Sequence, residues 1–390
     1  MSLPLRIFLI AGEASGDFLG AGLMRALKAK HPDIQFTGVG GSRMKEEGLR
    51  SLFPMEELSV MGIAEILPKL FSILSRIRQT SNEIVTAKPD AVITIDSPDF
   101  CFRVIKKVKS RGKSIPCIHY VAPSVWAWRP GRAKQVAQFL DHLLTLLPFE
   151  PPYFEVHGLD ATFVGHPIVE RLSRRGDSAR FRKKYGIADS QKILCLLPGS
   201  RMTELSRLLE KFCVATDAVL RARPDMMIVL PTLPHLKKYI QDFFVGKGIN
   251  PLVIDQEEDK FDCFASSAVA LAASGTVSLE LALTDTPHII AYKVSDLSAW
   301  IGKRLIKTPY VNLVNILLDR ALIPELLQEE CRPERITHEL FKLLDDKEAR
   351  TQQLRGFRDA LIMLGLGDPD TPSQKAAQAV LSVINKAGAA

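Results

Sequence analysis

The sequence contains no C-x-x-C pair. Its six cysteines, at positions 101, 117, 195, 213, 263 and 331, lie far apart. That spacing argues against a metal knuckle or disulfide frame and for small buried thiols in a reducing compartment. No apolar run reaches the roughly 18 residues that a membrane-spanning helix needs. The stretch "LRIFLIAG" is too short for the hydrophobic region of a signal peptide and reads as a strand. The expected location is therefore cytoplasmic. Charge is not segregated either: 51 basic and 44 acidic residues give a net charge of +7 spread along the chain, and neither half reads as a nucleic-acid module. The usual nucleotide fingerprints are missing as well. Gly12, Gly16, Gly20 and Gly22 in "GEASGDFLGAG" fit neither G-x-G-x-x-G nor the P-loop spacing. There is no short repeat and no low-complexity segment.

What is present is an alternation of short apolar runs and amphipathic stretches over 390 residues, 46% of them hydrophobic, a length that implies two domains. Strands are expected at Arg6–Ile10, Gln35–Val39, Ala91–Ile95, Ile115–Val121 and His142–Leu146, with helical periodicity or turns between them. This rhythm implies a parallel sheet covered on both faces. It resets near "ATFVGHPIVERL", where a strand is expected to end at Gly165-His166-Pro167 before a polar, basic stretch. A second series begins at "KILCLLPGSR" and continues through Met226–Pro231, Leu252–Ile254, Ala268–Ala272 and His288–Tyr292. The expectation is two similar α/β domains, residues 1–168 and 169–367. A C-terminal helix at about 368–390 either packs back on the first domain or passes to a partner; Thr371-Pro372 marks its start. Ligands of open parallel sheets sit outside the carboxyl ends of the strands, so two facing sheets would share one cleft lined by residues that directly follow strands.

Four turns satisfy that criterion. In "CLLPGSRMTELSRLL" a strand ends at Pro198-Gly199-Ser200-Arg201 and a helix opens. Unpaired N–H groups, a partial positive charge and the Arg201 fork suit a phosphate; a capped helix with a surface arginine is the plainer reading. In "LAASGTVSLELAL" the small residues Ser274-Gly275-Thr276 would let a diphosphate approach the backbone, and Glu280 would accept from ribose hydroxyls. Two such turns in one domain point to a nucleoside-diphosphate site. In "AVITIDSPDFCF" Asp96 and Asp99 follow a strand, where a carboxylate can take a proton from an attacking hydroxyl; capping of the next helix is the structural alternative. No residue set is complete enough for a metal, so none is expected. "IHYVAPSVWAWRPGR" places Trp126 and Trp128 in one loop, a platform for a sugar face or acyl chain or simply packing, while His119 reads as a core histidine.

Two further features concern surfaces. In "MGIAEILPKLFSILSRIR" Ile63, Ile66, Leu67, Leu70, Phe71, Leu74 and Ile77 recur at helical spacing, widened by Ile73, beside Lys69, Arg76 and Arg78. A broad apolar face with cationic flanks suits a helix lying in a membrane interface, as well as an ordinary buried face. The run Arg103–Lys113, "RVIKKVKSRGK", holds six basic residues and no acidic one, and 171–184 is also basic. Each is either a solvated helix face or a surface that meets anionic lipid or a phosphorylated substrate.

Taken together and in order, "AGEASGD", "GVGGSRM", "VMGIAEIL", "IDSPDF", "HYVAPSVWAWR", "LLPGSRMTE", "ASGTVSLE" and "ELLQEECRPE" resemble the lipid-A-disaccharide synthase family, over about Arg6 to Arg335. The resemblance implies a GT-B architecture of two facing Rossmann-like, doubly wound parallel-sheet domains. It implies an inverting glycosyltransferase, without metal or cofactor, that moves 2,3-diacylglucosamine from UDP onto 2,3-diacylglucosamine 1-phosphate (lipid X). It assigns Asp96 as general base on the acceptor 6-hydroxyl, with Arg201 stabilising the leaving group. Ser200, Arg201, Ser274, Gly275, Thr276, Glu280 and Asn315 would hold UDP. In "KTPYVNLVN" Val314 stands where the family segment has proline. Glu13, Ser15, Ser124 and Trp126 fall on the acceptor side, while Asp17 is expected to cap the helix that follows it. The resemblance also implies peripheral attachment to the inner membrane through the 61–78 segment, and a homodimer exchanging C-terminal parts. The competing readings are a UDP-sugar epimerase or hydrolase of the same architecture, and a non-catalytic nucleotide-sugar binding protein on a membrane surface.

Overall fold

The run "RIFLIA" forms the first strand, β1 (Arg6–Ala11), and its alternation sets up two apolar faces. Ile7, Leu9 and Ala11 join a cluster with Leu23, Met24 and Leu27, whereas Phe8 and Ile10 join one with Ile84, Val104 and Ile105. A strand buried on both sides in this way belongs to a parallel sheet with helices above and below. The structure, a computed structural model, describes residues 4–58, 63–112, 114–273, 277–306 and 308–389; the side chains of 63–70, 172–174, 297–298, 301 and 303 are likewise not described.

The chain divides into two compact units, residues 1–167 with 367–390, and residues 168–366. In the first, β1 is joined by β2 (Gln35–Val39), β3 (Arg50–Ser51), β4 (Ala91–Ile95), β5 (Cys117–Tyr120), β6 (His142–Thr145) and β7 (Ala161–Phe163). The sheet order is β3-β2-β1-β4-β5-β6-β7, all parallel. In the second, β8 (Lys192–Leu197), β9 (Met226–Pro231), β10 (Leu252–Ile254), β11 (Val269–Ala272), β12 (His288–Tyr292) and β13 (Glu325–Leu327) run in the order β10-β9-β8-β11-β12-β13, again parallel. The strand order therefore reverses between β1 and β4 in one unit and between β8 and β11 in the other. These are the topological switch points at which such sheets bind ligands. Their ends are level: Ala11 pairs with Ile95, and Leu197 with Ala272.

The helices that matter for the first unit are α1 (Ala14–Lys30), α2 (Ser42–Glu46), α3 (Ile63–Ala87), α4 (Pro98–Lys109) and α5 (Gly131–Val136). Asp17 does not cap its own helix. Its buried carboxylate accepts from the N–H groups of Gly41 (2.8 Å), Arg43 (3.0 Å) and Met44 (3.1 Å) and so caps α2, tying α1 to the β2 end. The helix Pro372–Ala389 packs against α1 of the same chain, burying Ala376, Ala377 and Val380 in the first unit's core. Its start is a capping box, with Thr371 Oγ1 accepting from Gln374 N and Gln374 Oε1 accepting from Thr371 N. Burial of each such core aliphatic side chain stabilises by about 1.5–3 kcal/mol for Val or Leu, less for Ala.

The expected strand positions recur within two or three residues at their ends. The strand expected to end at Gly165-His166-Pro167 is β7, which ends at Phe163, and two short strands that were not expected, β3 and β13, complete the sheets. Arg50–Ser51 and Glu325–Leu327 are too short to show any period.

Candidate functional site

At the first switch point the chain leaves β4 through two consecutive residues in the left-handed region, Asp96 (φ 54°) and Ser97 (φ 42°). Such backbone is costly for non-glycine residues and persists where the surroundings fix it. Here Asp96 N–H donates to Tyr120 O (2.9 Å), prolonging the β4–β5 ladder, and Ser97 N–H turns back onto Asp96 Oδ1 (2.9 Å). The other carboxylate oxygen, Oδ2, accepts from Ser15 Oγ at 3.0 Å, from the first turn of α1. Asp96 and Ser15, predicted for different roles and 81 positions apart, thus meet at one strand end. Glu13 stands beside them at the N-cap of α1 with extended backbone. Gly12 makes the approach possible: a Cβ there would lie 2.6 Å from Ser97 Oγ and 2.8 Å from Ser97 Cβ. Asp99 is elsewhere, 93% exposed and 3.4 Å from Arg132. His119 is a core residue as expected, with Nδ1 2.8 Å from Thr94 Oγ1. Burial, with the Arg132 charge second, lowers its pKa to about 3, so the ring is neutral.

The tryptophan loop is anchored from below. Trp126 Nε1 donates to Glu150 Oε1 (3.1 Å), and Glu150 Oε2 accepts from the N–H groups of Leu146 (3.2 Å) and Leu147 (3.0 Å). Trp126 also packs edge-on against Phe149 at 5.2 Å. Its N–H is therefore engaged in structure, and only the rest of the half-buried ring is left for a ligand. Trp128 is the more exposed of the pair, with Arg129 over its ring at 4.1 Å. Ser124 is exposed, its carbonyl closing the turn to Ala127 and Trp128.

Burial raises the Glu150 pKa from 4.5 to about 7, against the three hydrogen bonds that favour the ionised form. A carboxyl with a raised folded pKa binds more protons folded than unfolded, so its contribution is complete below about pH 4.5. That contribution declines as pH rises to about 7, by an upper limit of about 3 kcal/mol. Chemical denaturation of the unmodified chain and Glu150→Gln at pH 4.5 and 7.5 checks this. The difference in unfolding free energy between the two proteins should change by 1 kcal/mol or more across the interval; a constant difference would refute the assignment.

In the second unit β8 ends at Pro198-Gly199-Ser200-Arg201 and the helix Met202–Ala222 follows. The turn is not an open anion cradle. Glu204 Oε2 accepts from the N–H groups of Ser200 (2.8 Å) and Arg201 (3.2 Å), while Tyr292 Oη donates to Glu204 Oε1 (3.2 Å). The expectation of unpaired N–H groups at Ser200 and Arg201 is thus corrected: a carboxylate three residues into the helix already caps them. Gly199, at φ 120°, is required there because a Cβ would come within 2.3 Å of Glu204 Oε2. What the turn does offer is the exposed Arg201 side chain, which makes no ion pair among the described residues. At the matching end of β11, Ser274, Gly275 and Thr276 lie outside the described residues. The helix after them, Val277–Leu283, carries Glu280, whose two oxygens hold Arg171 (3.3 Å) and Lys260. That clamp fixes the carboxylate and leaves its remaining lone pairs for hydroxyl donors.

Asn315 is wholly buried and its amide is saturated. Nδ2 donates to Ile323 O (2.8 Å) and Glu325 Oε1 (2.8 Å), and Oδ1 accepts from Leu322 N (3.0 Å) and Ile323 N (2.9 Å). The expected nucleotide contact is therefore corrected to a support for the 312–325 loop. Val314 N–H donates to Asn312 Oδ1 (2.8 Å), a bond that proline could not make. Asn312 Nδ2 in turn donates to Ser278 Oγ (2.6 Å), 2.7 Å from His288 Nε2. Asn312, Ser278, His288, Glu204 and Glu325 were not foreseen. Only Asn312, an N-cap residue before an apolar run, carries a sequence signal.

Of the α3 residues, the side chains of Ile63, Ile66, Leu67 and Leu70 lie outside the described residues. Phe71 is 83% and Leu74 45% exposed, whereas Ile77 faces the core. Arg76 is not available to a lipid surface, because it holds Glu57 through two hydrogen bonds (2.8 and 2.9 Å). Among the described residues no helix is long and apolar enough to cross a membrane.

A family model described as lipid-A-disaccharide synthetase matches residues 7–374. The lipid-A-disaccharide synthase of Rhodospirillum centenum is 50% identical over 384 residues, covering 98% of this chain and 96% of the relative. That of Pseudomonas syringae pv. tomato is 41% identical over 385 residues, covering 98% of each. The chain belongs to the lipid-A-disaccharide synthase family. The resemblance of its motifs is borne out, and the chain is accordingly a glycosyltransferase of lipid A synthesis. Solved structures agree on the fold. UDP-GlcNAc 2-epimerase from Neisseria meningitidis, bound to UDP-GlcNAc, superposes with a TM-score of 0.65 at 12% identity, covering 97% of this chain and 99% of that one. MurG from Acinetobacter baumannii gives 0.57 at 14% identity, with 98% and 100% covered. The architecture is GT-B, as expected for the family.

Proposed function

We propose that this synthase-family chain transfers 2,3-diacylglucosamine, with inversion, from its UDP derivative to the 6-hydroxyl of 2,3-diacylglucosamine 1-phosphate. The observation that carries the reading is the Asp96 carboxylate at the β4 switch point, held by Ser15 Oγ and the Ser97 N–H. A base must sit where the substrate hydroxyl can reach it and must be fixed in direction, and the two bonds supply that direction. Asp96 takes the hydroxyl proton as the oxygen attacks the anomeric carbon. Charge growing on the departing UDP is met by Arg201, as fixed cations do in other transfers, and Ser274, Gly275 and Thr276 are assigned to the diphosphate. Glu280, clamped by Arg171 and Lys260, accepts from the ribose. Glu13, Ser124 and the ring of Trp126 serve the acceptor.

Both substrates carry acyl chains, and the outward Phe71 and Leu74 of α3 support attachment to the surface of the inner membrane. The test is incubation of the purified chain with UDP-2,3-diacylglucosamine in detergent micelles, with and without the 1-phosphate acceptor, following UDP and disaccharide. UDP release that depends on acceptor and yields a β-linked disaccharide is expected. Release that ignores the acceptor would replace transfer by hydrolysis, and an α-linked product would end the inverting mechanism.

A further inference from the structure

The basic run 103–113 has no part in the chemistry above, and the structure divides it. Lys109 is tied to Asp141 (2.6 Å), and Arg111 donates to Asn82 Oδ1 (2.8 Å). Arg103 and Lys106 are exposed and make no ion pair among the described residues. The other basic stretch differs: there Arg180 holds Asp262 and Lys184 holds Asp259, so part of its charge is answered within the fold.

Arg103 and Lys106 line a cavity of about 150 Å³ between α4 and α5, together with Arg132, Asp99, Phe102 and Phe139. The two rings form an apolar floor, with Arg132 5.5 Å from the Phe102 centroid and Lys106 4.8 Å from that of Phe139. Three cations against the single Asp99 carboxylate leave two positive charges, the complement of a phosphate monoester, which carries about −1.5 to −2 near neutral pH. Asp99 is a weak competitor, since it is solvent-exposed and 3.4 Å from Arg132.

The position matters as much as the charge. The cavity begins at Pro98 and Asp99, directly after the Asp96–Ser97 corner. Arg103 and Lys106 follow roughly 7.5 and 12 Å along the α4 axis from Pro98, at about 1.5 Å per residue. In a hexose the 1- and 6-positions lie at opposite sides of the ring. A hexose is shorter than that rise, so the 1-phosphate of a sugar presenting its 6-hydroxyl to Asp96 meets these cations where the long Arg103 and Lys106 side chains lean back toward the N-terminus of α4.

We propose that Arg103, Lys106 and Arg132 form a binding site for a lipid-borne phosphate ester. Resting on the transfer reading above, this ester is the acceptor's 1-phosphate, and the site orients the acceptor by the end remote from the reacting hydroxyl. Cationic side chains with an apolar floor distinguish a phosphorylated glycolipid from its dephosphorylated form, which would leave the cations without a partner.

The test uses Arg103→Gln with Lys106→Gln, both at exposed positions; Arg132 is kept because it also packs on Phe102. Unmodified and double-variant chains are compared in micelles with the 1-phosphate acceptor and with the same acceptor lacking phosphate. They are also compared by sedimentation with phosphatidylcholine vesicles with and without phosphatidylglycerol. The expected result is a KM about tenfold higher for the phosphorylated acceptor, little change in kcat, and a penalty below twofold for the dephosphorylated one. Loss of phosphatidylglycerol-dependent sedimentation at unaltered KM would keep the phosphate-ester site but assign its occupant to the bilayer. Equal penalties on both acceptors, or no change in either assay, would overturn it. Turnover by the unmodified chain tests the transfer reading separately; if there is none, the vesicle comparison alone decides the site.

Discussion

Replacing Asp96 by asparagine is expected to lower kcat by about 10³-fold, the scale of a lost general base, with UDP affinity within twofold of the unmodified chain. The substitution isolates proton transfer because the hydrogen bonds can survive it. The amide oxygen can still accept from Ser97 N–H, and the amide nitrogen can donate to Ser15 Oγ where the carboxylate accepted from it. The left-handed backbone at residue 96 is also tolerated by asparagine better than by most residues. Every residue proposed to hold UDP belongs to the other compact unit, so donor binding has no reason to change. Single-turnover transfer and calorimetric titration with UDP read the two quantities separately. Near-normal turnover would show that another group takes the proton.

Gly12→Ala is expected to lower kcat by about 100-fold without any change of charge. Its Cβ would overlap Ser97 at 2.6–2.8 Å, and relief requires the Asp96–Ser97 corner to move. Displacement of a reacting group by about 1 Å can cost 10²-fold. The decisive companion is Gly12→Ala combined with Ser97→Gly, which removes both clashing atoms and places glycine at a φ of 42°. The double variant should recover at least tenfold of the lost activity and should unfold at a higher temperature than Gly12→Ala alone. Activities that simply add on the free-energy scale would mean that the corner is not the point of conflict.

The strand ends were legible because an apolar run followed by Gly, Ser or Asp has few other meanings, and parallel sheets gather those ends on one edge. The chain positions of Asp96 and Ser200–Arg201 at strand ends followed from that rule alone. Occupancy of hydrogen-bonding groups was not legible. "PGSR" before a helix reads equally as an anion cradle or a capped turn, and Glu204, four residues after Ser200, decides for the cap. Asn315 was expected at the nucleotide because "KTPYVNLVN" resembles a family segment, which says nothing of what its amide bonds to. Here four partners within ten residues along the chain saturate it. Arg76 and Asp17 misled in a similar way. Glu57, which holds Arg76, lies 19 residues from it and Gly41, which Asp17 accepts from, lies 24 away, beyond any local pattern.

The helix Pro372–Ala389 belongs to the hydrophobic interior of the unit that the chain begins. During synthesis this sets an order. Residues 168–366 can complete their fold as soon as they leave the ribosome, whereas the earlier-made unit must wait with α1 uncovered until the last helix emerges. The half that carries Asp96 is thus finished after the half proposed to bind nucleotide, and a nascent chain arrested near residue 366 would display the α1 face to chaperones.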